Sequence, residues 1–459
     1  MSGELGLTRA LARFVAGLHL DQIPATAQEQ ARMAMGDCIG GGLAGTTDAV
    51  ARIAAQTLTQ APGPCTLWAQ AGQASARDAA LVNGCAAHAH ALDDTHESLR
   101  GHPSAPIVPA VLALGEALDA DGAALVTAYV AGVEVAGRLG RSVNDRHSQL
   151  GWHTTSTLGA VGAAAACASL LGLDEERTCH ALGLASSMAG GLRVNFGTMA
   201  KALHAGLAAQ HGVLAAQLAA SGMTASAQAL EGREGFLQLF CDDGSQSAAR
   251  GLRPFGQAWE VLEPGIVYKQ YPTCSLMHAL VDLVLQARQE GCFGTMDGVE
   301  IRGGISQRLD TIRGKTWPQR GLEAKFHVEY CVAVAALWGT QGVEDFSDAA
   351  VQRPEARACA GRVRLSVGAD FPVGNGDFAE LVVLCDGVEV FRQRQAKPRG
   401  HPSLPLSAAQ HEAKFMHCAL QALPRPRAVA LWQLLHAPQP ASARALARAM
   451  AALPADTMV

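Results

Sequence analysis

The sequence predicts a mainly α protein: a large all-helical domain built from both chain ends, with an α+β lid domain inserted between them. Helical periodicity runs through the first part of the chain, strand-like alternation takes over after Pro264, and helical periodicity returns from Ser407. The expected boundaries are residues 1–265 for the first helical part, 266–405 for the lid and 406–459 for the helical return. A length of 459 residues agrees with two domains, because single cores stop growing beyond about 250–300 residues.

Local signals justify the elements in order. Glu4, Arg9 and Arg13 lie at helical spacing, and residues 1–20 lack the continuous apolar core of a signal peptide. Ser104 and Pro106 open an apolar helix from Ile107 to Leu118, with proline in the first turn, where its missing N–H costs nothing. Asp121 starts another, on which Tyr129, Val133, Ala136 and Gly140 share a face. Ala160 to Leu171 is apolar but shorter than the ~20 residues a membrane span needs. Gly172 ends that helix, and Asp174 caps the next, Glu175 to Leu184. Lys201 to Ala220 is predicted helical, with Leu203, Leu207, Leu214 and Leu218 as its buried stripe.

Val299 to Arg302, Arg362 to Val367 and Glu380 to Leu384 alternate as strands do, and Asp386-Gly387 is a strong hairpin signal. Helices are expected over Ser275 to Glu290 and Gly321 to Gly339. The return is read from Lys414, Phe415, Ala419 and Leu423, and Ala437 to Ala449 as a loop and helix.

Composition narrows the function. Apolar residues make up 49% and aromatics 5%, with 49 glycines, so small side chains should let helices approach closely. A net charge of −5 without a Lys/Arg block argues against nucleic acid as the partner, and no membrane partner is expected. The twelve cysteines are scattered singly with no CxxC pair, which argues against structural zinc and iron–sulfur ligation. Reduced thiols in a cytoplasmic protein, with neither metal nor cofactor, are the expectation.

Four polar clusters are candidates for chemistry. Asp93-Asp94-Thr95-His96 with Gly101-His102-Pro103-Ser104 reads as a proton-transfer set, or as solvated loop polarity with a serine N-cap. In Gly151-Trp152-His153-Thr154-Thr155-Ser156-Thr157 the hydroxyls cap a helix whose N-terminal amides offer an anion site beside His153, or His153 is incidental to a capping box. Lys201 and His204 share a face at a helix start, where Lys201 holds a carboxylate or is an ordinary surface lysine. Tyr268-Lys269-Gln270-Tyr271-Pro272-Thr273-Cys274 lies at the domain junction, a common place for a ligand cleft. By residue type alone, Met199 reads as packing and Cys274 as a small buried hydrophobe. Together the clusters suggest a cationic pocket within an acidic protein, suited to an anionic substrate.

These motifs, with Gly197-Thr198-Met199-Ala200-Lys201, Leu203-His204-Ala205-Gly206, Lys269-Gln270-Tyr271-Pro272 and Gly321-Leu322-Glu323-Ala324-Lys325-Phe326, resemble the MmgE/PrpD family in order along nearly the whole chain. That family includes 2-methylcitrate dehydratase, cis-aconitate decarboxylase and iminodisuccinate epimerase. The resemblance implies a helical domain with an α+β lid, a homodimer, and a small di- or tricarboxylic acid substrate. It implies His102, Asp93, His153 and Lys201 as catalytic residues, and Asp94, Thr95, Met199, Lys269, Tyr271 and Cys274 as substrate-binding ones. Two positions depart from the pattern: Ala91 stands where decarboxylase- and dehydratase-like members carry a further Asp, and Cys274 where the decarboxylase has His. Both remove proton-handling groups and argue against decarboxylation. The expected reaction is proton removal α to a carboxylate by His102, giving a 2-methylcitrate dehydratase-like lyase. Epimerisation of an iminodisuccinate-like acid is the alternative, and a non-catalytic polyanion binder the rival of another class.

Overall fold

The computed structural model describes residues 6–58, 62–241, 244–368 and 378–452, so Glu4 lies outside it. The helices Leu7–Gly17, Ala25–Gly45, Ala76–Ala89, Ser104–Leu118, Gly122–Gln149, Thr154–Leu170, Glu175–Met188 and Ala200–Ala220 build the first body. Their starts follow local chemistry. Ser75, Asp121 and Asp174 accept hydrogen bonds from the N–H groups of Asp78, Ala124 and Arg177, satisfying amides that lack a partner in the first turn.

The Ala200–Ala220 helix packs differently from the leucine stripe expected. Its buried face is Ala202, Ala205, Ala209, Gly212, Val213 and Ala216, while Leu203, Leu207, Leu214 and Leu218 stand half-buried on other faces. Small residues won because they let backbones close in: a Cβ on Gly84 would lie 2.8 Å from Gly206 Cα in the adjoining helix. The Gly122–Val143 stretch is long and apolar enough to cross a membrane, but 89% of its apolar window is buried inside the protein.

The second hydrophobic core runs from Tyr271 to Phe391. It packs under a four-stranded sheet in the order Val363–Val367, Val299–Ile305, Ala379–Cys385, Val388–Gln395. The first pair is parallel and therefore needs a long crossover, which carries the helices from Gln307 to Ala360; the other pairs are antiparallel. Asp386 and Gly387, at φ +50° and +79°, form the expected tight turn between the last two strands.

The helices expected over Ser275 to Glu290 and Gly321 to Gly339 are both interrupted. A 3₁₀ turn at Ser275–Met277 leads into His278–Gln289. The second breaks into Gly321–Ala324 and Val328–Trp338, because His327 leaves helical geometry and its ring accepts the N–H of Tyr330 as an N-cap. Lys325 sits in that break. From Leu406 the chain rejoins the first core: Ala408–Ala419 and Arg425–Leu435 pack on Ala25–Gly45, and Ala443–Met450 on Ser104–Leu118.

A two-residue ladder that sequence periodicity did not reveal positions the site. Thr95 and His96 pair antiparallel with Val267 and Ile266, bringing the Asp93-to-His102 loop beside the domain junction.

Candidate active site

A cavity of about 380 Å³ opens between the two bodies. His102 enters it from the loop after the Ala76–Ala89 helix, His153 from the start of Thr154–Leu170, and Lys201 from the start of Ala200–Ala220. Lys269 and Cys274 come from the junction, and Lys325 from the broken lid helix.

A hydrogen-bonded chain runs along one wall. Lys201 Nζ lies 2.6 Å from His88 Nε2, and His88 Nδ1 lies 2.8 Å from Asp93 Oδ2. His102 Nδ1 approaches the same carboxylate oxygen at 2.9 Å. Burial opposes charge on Asp93, but the His102 and His88 imidazoles outweigh it and hold the carboxyl well below the usual range. An ionised Asp93 accepts only, so both imidazoles donate from Nδ1. His88 Nε2 is then the acceptor for the Lys201 ammonium. His102 is left with a basic Nε2 on a ring that lines the cavity.

Burial sets the remaining protonation states. It pushes His88 down to about 3, and it lowers His102 against the pull of Asp93. His153 is held far below its ordinary value by burial and then by Lys201. Burial also brings Lys201 and Lys325 to about 8 and Lys269 to about 7. These ammoniums stay hydrogen-bonded: Lys269 donates to Ala91 O, and Lys325 to Ala89 O at 3.3 Å. Lys414 adds a bond to Leu92 O at 2.9 Å, so three lysines close the C-terminal end of the Ala76–Ala89 helix and its exit, where carbonyls concentrate negative potential.

The hydroxyls after His153 do not cap their helix. Thr155 Oγ1 accepts the His102 N–H at 3.1 Å, and Thr154 Oγ1 donates to Arg100 O at 2.8 Å, so both pin the loop that carries His102. Gly101 covers the helix start, since a Cβ there would lie 2.9 Å from Thr155 N. His153 Nδ1 meets His204 Nδ1 at 3.1 Å.

Of the other expected site residues, Thr95, Met199 and Cys274 line the cavity, and Met199 is exposed at its edge. Asp93 stands behind His102. Asp94 and Tyr271 do not reach the cavity. Asp94 is fully buried and accepts from Ser104 Oγ at 2.5 Å, a bond that fixes the loop from behind. The Tyr271 hydroxyl donates to Asp282 at 2.6 Å and accepts from Arg399 at 2.7 Å, within the lid.

His88 and the lining cations Lys325, Arg193 and Arg308 were not singled out as site residues from sequence. His88 left one clue, an imidazole in the last turn of an Ala-rich helix shortly before Asp93.

His88, Asp93 and His102 bring three donor atoms within 4.8 Å of one another. Both imidazole N–H groups are already committed to one carboxylate oxygen, and the Lys201 ammonium abuts His88, so the adjacent positive charge opposes a bound cation. With lysines around it, the cavity suits a small polyanion and a developing enediolate.

The family model of the MmgE/PrpD N-terminal domain matches residues 9–248, and that of the MmgE/PrpD C-terminal domain matches residues 271–434. Cis-aconitate decarboxylase from Homo sapiens is 29% identical over 426 residues, covering 89% of this chain and 87% of the relative. The Mus musculus protein of the same name is 29% identical, covering 73% and 70%. Cis-aconitate decarboxylase from Aspergillus terreus is 27% identical, covering 81% and 80%.

Proposed function

Since the chain belongs to the MmgE/PrpD family, we propose that it is a cofactor-independent lyase that removes a proton α to a carboxylate of a small di- or tricarboxylic acid. The observation that carries this reading is the Asp93–His102 pair, which leaves a basic Nε2 on a ring that lines the same cavity as the buried lysines.

In this reading Lys201 and Lys269 hold the substrate carboxylates, and His153 and Thr95 orient them. Fixed orientation of this kind can remove about 7–11 kcal/mol from a barrier. His102 Nε2 takes the α-proton, and the electron pair moves into an enediolate stabilised by the ammoniums. Collapse forms the C=C bond and expels the β-hydroxide, which leaves as water after taking a proton from Lys269. An ammonium whose pKa lies at about 7 is a competent acid near neutral pH. The overall step is a 2-methylcitrate dehydratase-like elimination.

Decarboxylation is the second reading, favoured by the names of the relatives. Against it stand Ala91 and Cys274, both on the cavity wall at the positions where that pattern carries Asp and His. Epimerisation shares the same carbanion and differs only in the face of reprotonation. A homodimer in the cytoplasm completes the proposal; twelve singly scattered cysteines without a CxxC pair agree with a reducing compartment.

Proton NMR in D₂O with 2-methylcitrate, citrate, cis-aconitate and iminodisuccinate tests this reading. A new alkene, or its hydration, is the expected result. Loss of CO₂ from cis-aconitate would install the decarboxylase reading, and α-deuteration without an alkene the epimerase. Silence from a folded protein that binds the same acids would overturn catalysis in favour of a binding role.

A further inference from the structure

His88, in the cavity wall, touches two parts of the machinery at once. Its ring is 1% exposed, packs edge-on against His102 at 4.6 Å and stacks beside His153 at 5.7 Å. Each ring nitrogen has one short partner: Nε2 meets the Lys201 ammonium, and Nδ1 meets the Asp93 carboxylate. A neutral imidazole can satisfy both only as the Nδ1–H tautomer, donating to Asp93 and accepting from Lys201. The opposite tautomer would point a lone pair at the carboxylate and a proton at the ammonium.

We propose that His88 is a positioning residue whose two nitrogens couple the substrate-holding Lys201 to the proton-accepting Asp93–His102 pair. The inference rests on the lyase reading for its kinetic consequence, but its electrostatic consequence stands apart from turnover. His88 favours the ammonium form of Lys201 by accepting a hydrogen bond from it, against burial, which favours the neutral amine. It also takes up part of the Asp93 charge, so that His102 feels a weakened carboxylate and stays a neutral base. The other titratable groups facing this cluster are His153 and His204 from two helix starts, Asp37 from the Ala25–Gly45 helix, Asp94 from the same loop, Lys269, Cys274 and His278 from the junction, and Lys325 from the lid. Among the described residues, none of these bonds to both Lys201 and Asp93 as His88 does.

The two contacts can be separated. An asparagine amide sits where Nδ1 stands and can still donate to Asp93, without reaching Lys201. A glutamine amide reaches the place of Nε2 and can still accept from Lys201, without serving Asp93. The test is the titration of His102 in full-length, ligand-free protein, followed by the ring Cε1–H resonances of isotope-labelled histidine and assigned with His102→Gln.

His88→Gln leaves Asp93 with a single imidazole donor, so His102 should titrate about 0.5 pH unit or more above wild type. His88→Asn should leave that titration unchanged. With a turned-over substrate in hand, His88→Asn should raise KM about 10-fold with kcat largely kept, and His88→Gln should lower kcat about 10-fold with KM kept. Equal His102 titrations in wild type and both folded variants would overturn the proposal, as would a loss confined to thermal stability. Because the titration needs no substrate, failure of the lyase reading leaves this result standing on its own.

Discussion

Lys269 places its ammonium on the carbonyl of Ala91, and Ala91 occupies the left-handed region at φ +53°. The backbone therefore supplies the acceptor at a position where the decarboxylase-like pattern carries a carboxylate. A β-carbon there costs roughly 1–2 kcal/mol relative to glycine, whereas Asp visits this region more readily than Ala. Ala91→Asp should fold and add a negative charge beside Lys269. It should raise the Lys269 pKa from about 7 and move the alkaline limb of the kcat profile to higher pH. An alkaline limb that stays in place would remove Lys269 as the acid.

His102→Gln removes the basic nitrogen while keeping a side chain of similar reach. The expected result is a kcat reduced ~100-fold or more, with circular dichroism unchanged. A near-wild-type rate would eliminate His102 as the proton acceptor.

If Lys201 holds a substrate carboxylate as proposed, Lys201→Ala deletes a charge-assisted contact of roughly 1.5–3 kcal/mol. That corresponds to a kcat/KM lowered about 10- to 100-fold in steady-state assays on a protein of unchanged fold. Unaltered kcat/KM would take Lys201 out of the site.

Three buried histidines make the fold sensitive to acid. Burial lowers His88 to about 3 and His147 and His411 to about 4. In the unfolded chain each regains a value near 6.5. Their contribution is complete above pH ~6.5 and is lost as pH falls from there toward the folded values, because the unfolded state then binds more protons. Tm measured by calorimetry should fall steadily between pH 7 and pH 4.5. A flat Tm over that interval would contradict the buried neutral imidazoles.

The approach of the Ala76–Ala89 and Ala200–Ala220 helices depends on Gly84, whose Cβ position is 2.8 Å from Gly206 Cα. Gly84→Val should force the helices apart and cost on the order of 1–3 kcal/mol, read as a lowered denaturant midpoint.

Local chemistry explains which features were legible in the sequence. Asp121 and Asp174 cap helices through their own side chains, and Asp386-Gly387 turns a hairpin through its own backbone angles, so each signal is contained within a few residues. The leucines at 203, 207, 214 and 218 misled because periodicity records hydrophobicity, while the packing there rewards small volume. The break at Lys325 was missed because Gly321 to Gly339 suits a helix locally, and tertiary contacts to the Ala89 carbonyl hold the lysine in the interruption. His88 stayed hidden because its second partner, Lys201, comes from a distant helix, and Thr154 and Thr155 bond a distant loop instead of their own helix.

The three lysines that close the end of the Ala76–Ala89 helix reach it across sequence separations of 178, 236 and 322 residues. On a ribosome, that helix end emerges early and has to wait for nearly the whole chain before its carbonyls receive their ammoniums. Assembly of the site is thus a late event in biogenesis. A nascent or prematurely terminated chain carries the cavity histidines without the ammoniums that complete the cavity around them.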